Sequence, residues 1–507
     1  MKKIEKQIRV RFAPSPTGWL HIGGLRTALY NYLFARRHNG VFFLRLEDTD
    51  QKRLVPGAVE GILRTLQTMG IEPDEGPRLQ NDKIVETGER GPYLQSKRLK
   101  IYQEQAEKLI AEKKAYYCFC TEEELETMRD EQMAANKPTR YDGRCRRLSE
   151  EEVAKQLAAG KSAVVRLAVP NKDETEFDDL IRGRISIKNS EIDDCVLLKS
   201  DGFPTYHLAV VIDDHLMETT HVIRGEEWIS SVPKHILLYR AFGWNLPEFA
   251  HLPHLLNPDR SKLSKRQGDV SVEDFLKKGY LPEALINFVA LLGWNPSADR
   301  EIFTLEELAK NFDIGKVNKS GAIMNIEKLD WLNRNYSREL DPGYYARAAL
   351  PFLIEAKLLT ASSEGNAWYS DDGRRFTLED LIRVIELERE RSVKFSDLSD
   401  ALVYIFEKPA VRTELLPWKN SNPAEAKERL RALADLLAKC DFESAAELEE
   451  KTKKLIAERN WSNGEVLWPL RVALTGRDKS PGPFEVAFAL GKEETIDRIK
   501  HAIKWGE

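Results

Sequence analysis

Two short segments, far apart in the chain, carry side chains suited to holding a polyphosphate. The first, His21-Ile22-Gly23-Gly24, stands where a loop rich in turn formers gives way to a helical pattern. A helix start offers backbone N–H groups and the positive end of a dipole, and both favour a phosphate. Glycine lets a ligand approach the backbone closely, and the imidazole of His21 can donate a hydrogen bond to phosphate oxygens as charge develops.

The second segment, Lys262-Leu263-Ser264-Lys265-Arg266, places two lysines and an arginine within five residues. Such cations are expensive to bury without an anion. Donors that close on phosphate oxygens only in the transition state lower the barrier to phosphoryl chemistry. We therefore predict that His21, Lys262 and Lys265 are catalytic, and that Lys265 contacts the nucleotide.

Polar side chains also stand near the ends of predicted strands. Arg11 lies near the end of the first strand, on the face opposite its apolar residues, while Glu47 and Arg224 end later strands. Open α/β sheets bind ligands at the carboxyl ends of their strands. A guanidinium binds a carboxylate with two parallel hydrogen bonds, a carboxylate binds an ammonium, and Tyr206 adds a hydroxyl donor.

The elements that position these residues can be read from hydrophobic spacing. Residues 8–12 and 41–46 have strand patterns, and apolar residues recur at helical spacing between Leu25 and Leu33. Strand, helix and strand in this order predict a parallel α/β unit. A second α/β segment contains the apolar run 208–212 and a short strand at Val222-Ile223 that leads to Arg224.

Between the two halves, residues 116–203 have a different character. They contain four of the five cysteines, a polar helix-like run at 121–133, and strand-like pieces at 164–169 and 196–198. We interpret this stretch as an inserted domain. Beyond residue 330 the sequence becomes helical in period, and the Ser, Gly, Asn and Asp clustered at 361–373 predict an exposed loop.

The composition of the chain limits the partners and the cellular compartment that we expect for it. The 507 residues carry a net charge of −5, so a nucleic-acid partner would be held by local basic patches. Five cysteines, an odd count, favour a reducing cytoplasm over a disulfide framework. The charged N-terminus lacks the apolar core of a signal peptide, and no apolar run reaches the length of a membrane span.

The full string Ala-Pro-Ser-Pro-Thr-Gly-Trp-Leu-His-Ile-Gly-Gly resembles the first signature of class I aminoacyl-tRNA synthetases, and residues 262–266 resemble the second. Gly24, where relatives that use glutamine keep a second His, and the Pro-Ser-Pro-Thr-Gly lead-in are similar to the bacterial glutamyl-tRNA synthetases. The resemblance implies a nucleotide site, with ATP and Mg²⁺, formed by Pro14, Ser15, Pro16, Thr17, Gly18, His21, Gly23, Gly24, Trp228, Lys262, Ser264, Lys265 and Arg266. It implies a glutamate pocket formed by Arg11, Ser15, Glu47, Tyr206 and Arg224.

The resemblance covers essentially the whole chain and implies its architecture. A Rossmann-type parallel α/β catalytic domain would occupy residues 1–115 and 204–255, with an inserted domain at 116–203 that holds the acceptor end of tRNA(Glu). Residues 256–330 would form a stem-contact region, and 331–507 an all-helical anticodon-binding region. The family further implies a cytoplasmic monomer, ester formation at the 2′-OH of the tRNA, and amino-acid activation that depends on bound tRNA.

The cysteines of the insert leave two interpretations open. Cys118 and Cys120, with Cys145 further on, have spacing compatible with Zn²⁺, but structural zinc sites use four ligands. Some glutamyl synthetases have a His where this chain has Arg147, which cannot ligate; Tyr141 could substitute, as in a shorter related enzyme. Alternatively, the thiols are small buried groups without a metal.

Three other functions fit parts of the sequence less well. A glutaminyl-tRNA synthetase is disfavoured by Gly24, by the Ser15 string and by the helical C-terminal third. A nucleotidyltransferase with a similar His-x-Gly loop would lack the 262–266 segment in this context and the long helical tail. A non-catalytic tRNA-binding paralogue would have no use for a phosphate-stabilising lysine.

Overall fold

The computed structural model describes residues 7–263, 271–297, 299–410 and 413–504. The chain divides into two compact units: one comprises Met1–Phe275 and Leu285–Ile326, and the other Leu276–Ala284 and Glu327–Glu507. In the described ranges, every helix is too short or too polar to cross a membrane.

Strands and helices are mixed through the first part of the chain. In chain order they are β1 Arg9–Phe12, α1 Ile22–Arg37, β2 Val41–Leu44, α2 Ala58–Thr68, β3 Gly76–Gln80, β4 Lys83–Thr87, α3 Leu99–Ala111, β5 Ala115–Cys118, α4 Glu122–Ala134, α5 Glu150–Ala158, β6 Val164–Leu167, β7 Glu174–Asp179, β8 Gly183–Lys188, β9 Val196–Leu198, α6 Tyr206–Leu216, β10 His221–Gly225, α7 Val232–Phe242, β11 Glu248–Leu252, β12 Leu255–Leu256, α8 Val272–Lys277, α9 Pro282–Ala290, α10 Leu305–Asn311 and β13 Ala322–Ile323.

A parallel sheet organises this unit, as the sequence predicted. β1 pairs with β2 and β10 pairs with β11, both in parallel. A backbone hydrogen bond of 2.9 Å from Thr220 N–H to the Arg9 carbonyl joins the two pairs. The carboxyl ends of these four strands therefore meet at one edge, where the polar residues predicted for the site emerge.

Helix α1 confirms the predicted helix that follows the His21 motif. Ile22, Leu25 and Leu29 are fully buried on its inner face. A Cβ at Gly24 would lie 2.7 Å from Cδ1 of Leu20, so a larger residue there would displace this buried side chain. The helix start is thereby pressed against the loop that precedes it.

The stretch between the two halves contains its own antiparallel sheet, β5–β6–β9, and α4 begins with a capping box from Thr121 to Glu124. The helix and both strands predicted here are confirmed. The hairpin β7–β8 instead joins the parallel sheet, because β7 pairs with β11 at Asp179 and Phe249. The sequence did not anticipate this connection.

The rest of the chain is mostly helical, with its apolar faces packed into one core. Its elements are α11 Ile326–Glu339, α12 Pro342–Glu355, β14 Thr360–Ala361, β15 Trp368–Tyr369, β16 Arg375–Phe376, α13 Leu378–Arg389, α14 Phe395–Phe406, α15 Pro423–Leu437, α16 Ala445–Glu458, α17 Asn463–Thr475, α18 Pro483–Leu490 and α19 Lys492–Lys504.

The predicted helical region from 331 is confirmed and residues 361–373 are mostly exposed, but the region is not helical throughout. Strands β14, β15 and β16 form a small antiparallel sheet there. Each strand has two residues, too few to show an alternating pattern in the sequence. Ala367 and Phe376 are nevertheless buried and hold the sheet against the helices.

Candidate active site

A cleft of about 1050 Å³ opens at the carboxyl edge of the parallel sheet. It is lined by residues that directly follow or end β1, β2, β10 and β11, among them Ala13, Glu47, Arg224 and Pro253. This is the position at which open α/β sheets bind ligands, because strand ends and helix starts converge there.

One wall of the cleft is the predicted nucleotide loop. Predicted residues that line it are Pro14, Ser15, Thr17, Gly18, His21, Gly23 and Gly24. Pro16 does not line it: this residue is buried, and its carbonyl accepts a hydrogen bond of 3.1 Å from Val55 N–H. Pro16 supports the loop from behind.

His21 caps helix α1. Its Nδ1 accepts a hydrogen bond of 3.0 Å from Gly24 N–H. Because Nδ1 accepts, the neutral ring carries its hydrogen on Nε2, which makes that nitrogen the donor of the ring. The cap therefore fixes the tautomer in which Nε2–H can donate a hydrogen bond to a phosphate oxygen.

The second predicted segment approaches the same cleft. Lys262 and Leu263 line it. On the far side of the segment, Ser271 forms a β-bridge with His21, and Val272 N–H donates to the Leu20 carbonyl over 2.8 Å. Ser264, Lys265 and Arg266 lie outside the described residues.

A buried ionic cluster underlies the side of the cleft that Arg11 and Glu47 line. Arg11 donates to Asp214 with its Nε at 3.0 Å, and the fully buried Arg45 donates to Asp214 at 2.8 Å and to Glu47 at 3.0 Å. Burial raises the pKa of Glu47, and the nearby arginines offset only part of this. Burial acts in the same direction on Asp214, but Arg11 and Arg45 outweigh it and hold the pKa of Asp214 below its ordinary value.

Asp213 continues the cluster away from the cleft. It accepts hydrogen bonds from Arg98 Nε at 2.7 Å, Gln95 Nε2 at 2.8 Å and Tyr102 Oη at 2.8 Å. Asp213 and Asp214 lie on helix α6 and join it to β1, β2 and α3 through these contacts.

Arg224 is the buried cation of the pocket. It donates to Tyr206 Oη at 2.7 Å, to the Trp228 carbonyl at 3.3 Å and to His251 Nε2 at 3.1 Å, and all three partners are uncharged acceptors. Among the described residues, no carboxylate lies within ion-pair distance of Arg224, although the residue is only 5% exposed. The ring of Trp228 lies 4.2 Å from that of Tyr206 and also lines the cleft.

Comparison with known proteins decides which family has this cleft. A family model described as the catalytic domain of class I tRNA synthetases (E and Q) matches residues 7–331, and an anticodon binding domain model matches 345–503. A glutamate–tRNA ligase of Alkaliphilus metalliredigens is 44% identical over 497 residues, which are 98% of this chain and 99% of that protein. One of Clostridioides difficile is 45% identical over 505 residues, or 97% and 98% of the two chains. The chain belongs to the glutamate–tRNA ligase family.

A solved structure of the glutamate–tRNA ligase family agrees in fold. The crystal structure of a glutamate tRNA ligase from Elizabethkingia meningosepticum, in complex with its amino acid, has a TM-score of 0.86 and 38% identity. The match covers 99% of this chain and all of that one. The resemblance predicted from the two signatures is therefore confirmed at the level of family and of fold.

In this member of the glutamate–tRNA ligase family, the predicted metal ligands come together. The Sγ atoms of Cys118, Cys120 and Cys145 lie within 4.8 Å of one another. The Tyr141 hydroxyl lies 3.3 Å from the Cys118 sulfur and 3.6 Å from that of Cys120. Burial acts to raise the pKa of the Cys118 thiol, but hydrogen bonds with Tyr141 and Arg166 outweigh it and hold that pKa below its ordinary value.

Several residues of the site escaped the sequence analysis. Arg45 follows β2 and stands two residues from Glu47, a spacing that places both on one face of an extended chain. His251 is a polar residue within the mostly buried strand β11, and a polar residue in such a strand indicates a specific partner. Nothing in the sequence around Asp179 indicated its contact with His251, because that contact depends on the pairing of β7 with β11.

Proposed function

We propose that this chain activates glutamate with ATP and transfers it from glutamyl-adenylate to the 3′ end of tRNA(Glu), releasing AMP and pyrophosphate. The observation that carries the proposal is the convergence of two distant segments on one cleft. Leu263 lines the cleft and Ser271 bridges to His21, so residues 264–270 are bounded on both sides by the nucleotide wall.

The charges of the pocket support a substrate with an acidic side chain. Arg224 is buried with uncharged partners, so a carboxylate that enters the cleft gains an ion pair without breaking one. Glu47 lines the cleft, and its carboxylate can bind the ammonium group of the substrate. Arg11 and Ser15 line the same cleft. Tyr206 fixes the guanidinium through its hydroxyl.

The first step is in-line attack of the glutamate α-carboxylate on the α-phosphorus of ATP. A carboxylate is already ionised, so no general base is required, and positioning with charge stabilisation supplies most of the acceleration. His21 donates from Nε2, and the start of α1 presents its N–H groups to the phosphates. Lys262 and Lys265 add positive charge as pyrophosphate leaves.

Mg²⁺ bound with ATP would neutralise phosphate charge. Within the described part of the chain, the cysteine cluster is the one group of ligating side chains close enough to hold a metal. We therefore propose that Mg²⁺ binds together with ATP and that the phosphate oxygens supply most of its ligands. A terminal ribose hydroxyl, the 2′-OH by family resemblance, then attacks the mixed anhydride.

The remaining domains are proposed to hold the tRNA. We assign the acceptor end to residues 116–203, stem contacts to 256–330 and the anticodon to the helical region from 331. The free thiols of all five cysteines support a reducing, cytoplasmic setting, and we propose that the chain acts as a monomer.

The direct test is aminoacylation with labelled glutamate and labelled glutamine, each against purified tRNA(Glu) and tRNA(Gln). We expect glutamate to be charged onto tRNA(Glu), because Arg224 offers an ion pair that glutamine cannot form. The assay also shows whether tRNA(Gln) accepts glutamate. Charging by glutamine alone would overturn the proposal.

We further propose that Cys118, Cys120, Cys145 and Tyr141 hold a structural Zn²⁺. Three thiolates and a phenol oxygen would complete the four ligands that such sites use. The donor atoms fit this role, since they already cluster around one point. A metal here would tie β5 to the segment that follows α4.

Metal analysis after purification without chelators is expected to find about one zinc per chain, given one four-ligand site. Cys145→Ser should lose the metal, and Tyr141→Phe should bind it more weakly. Cys195→Ser is the matched control, because this buried thiol lies outside the cluster. A clearly substoichiometric zinc content in the unsubstituted protein would refute the assignment.

A further inference from the structure

A buried chain of hydrogen bonds runs from Arg224 to the hairpin β7–β8. Arg224 Nε donates to His251 Nε2 over 3.1 Å, and His251 Nδ1 lies 2.6 Å from Asp179 Oδ2. The side chains of His251 and Asp179 are both fully buried. Water is therefore excluded from the back of the guanidinium.

The direction of each hydrogen bond follows from the chemistry of the groups. The arginine Nε always carries a hydrogen, so Nε2 of His251 must accept. The imidazole is then neutral with its hydrogen on Nδ1, which donates to the Asp179 carboxylate. Burial lowers the pKa of His251, in agreement with a neutral ring beside a cation.

Asp179 is itself held in one orientation. Its Oδ1 accepts three backbone N–H groups, from Ile181 at 3.0 Å, Arg182 at 2.9 Å and His251 at 3.3 Å. Oδ2 is thereby left facing the imidazole. Because β7 pairs with β11 at this residue, the carboxylate is fixed by the sheet as well as by these bonds.

We infer that Asp179 and His251 are positioning residues for substrate selection: they fix the tautomer and place Arg224 to bind the side-chain carboxylate of the amino acid. This inference rests on the proposed function and adds to it two residues outside the predicted pocket. Asp179 lies within residues 116–203, so the stretch assigned to the tRNA acceptor end also supports the amino-acid site. Neither residue lines the cleft.

Asp179→Asn is the sharpest test, because it preserves size and shape. The three backbone N–H groups require the amide oxygen, which turns the amide NH₂ toward His251 Nδ1. Nδ1 must then accept, and the ring hydrogen moves to Nε2, where it opposes Arg224 Nε–H. We expect the KM for glutamate to rise about tenfold to a hundredfold, the effect of losing a hydrogen bond to a charged group.

The measurement is pyrophosphate exchange with tRNA present, in which KM is determined separately for glutamate and ATP. The KM for ATP should change less than about twofold, since the nucleotide wall does not contact Asp179. His251→Gln should raise the KM for glutamate less than Asp179→Asn does, because its amide oxygen can still accept from Arg224. Leu109→Ala, at a fully buried position on helix α3 that does not line the cleft, is the control for loss of stability alone and should leave both KM values unchanged.

The outcomes separate this inference from the proposed function. Equal rises of both KM values in Asp179→Asn, or no rise for glutamate, would overturn the positioning role while leaving glutamate activation intact. A selective rise with an intermediate effect in His251→Gln would support it. If the unsubstituted protein did not activate glutamate at all, the proposed function would fail instead.

Discussion

Replacing Lys265 by alanine is expected to slow adenylate formation by about a hundredfold to a thousandfold, the usual effect of removing one preorganised donor from a transition state. The α-phosphate and pyrophosphate gain charge only as the reaction proceeds, so the lysine contributes little to ground-state binding. Affinity for tRNA should be nearly unchanged. Single-turnover adenylate formation and tRNA binding, measured on the same preparation, provide the comparison.

Lys277→Ala is the matched control for Lys265→Ala. It removes the same charge from an exposed position on helix α8, a short distance along the chain. This variant should retain both adenylate formation and tRNA affinity. Equal losses of the two properties in Lys265→Ala would refute the role given to that lysine.

Arg224→Gln is expected to lower kcat/KM for glutamate by about a hundredfold or more, because a buried charge pair with the substrate is replaced by a neutral contact. The preference for glutamate over glutamine should fall with it, since the pocket would no longer contain the unpaired cation. The KM for ATP should be nearly unchanged. Steady-state charging with each amino acid in turn measures all three quantities.

Arg184→Gln controls for the loss of an arginine in the same unit. Its side chain is 70% exposed on strand β8, away from the cleft, so it should keep the preference for glutamate over glutamine and the KM for glutamate. Retained selectivity for glutamate in Arg224→Gln would show that another group recognises the side-chain carboxylate. The pocket assignment would then have to be revised.

The sequence predicted the elements that carry strong local patterns. The strand before the His21 loop, helix α1, and strands β6, β9 and β10 follow from hydrophobic spacing and were confirmed. The position of Arg224 near the end of a predicted strand was enough to predict that it lies at the cleft. These predictions were correct because each of these elements has a hydrophobic pattern within its own few residues.

The parts that the sequence did not predict depend on long-range pairing. The sheet β14–β15–β16 is built from two-residue strands, and the contact of Asp179 with His251 joins residues 72 positions apart. Nothing in either neighbourhood signals the other. The buried partners of Arg11 likewise lie on α6, far along the chain, so only the folded structure could show that this arginine already has an acidic neighbour.

The cluster beneath the cleft contains the cations Arg11, Arg45 and Arg98 and the anions Glu47, Asp213 and Asp214. The ionised groups are equal in number, so the set as a whole is electroneutral. Neutralising a single member leaves an odd charge in the interior, at a cost of about 3–5 kcal/mol. We therefore expect a compensating pair of substitutions, which keeps the cluster neutral, to be tolerated better than the loss of any one of its charges.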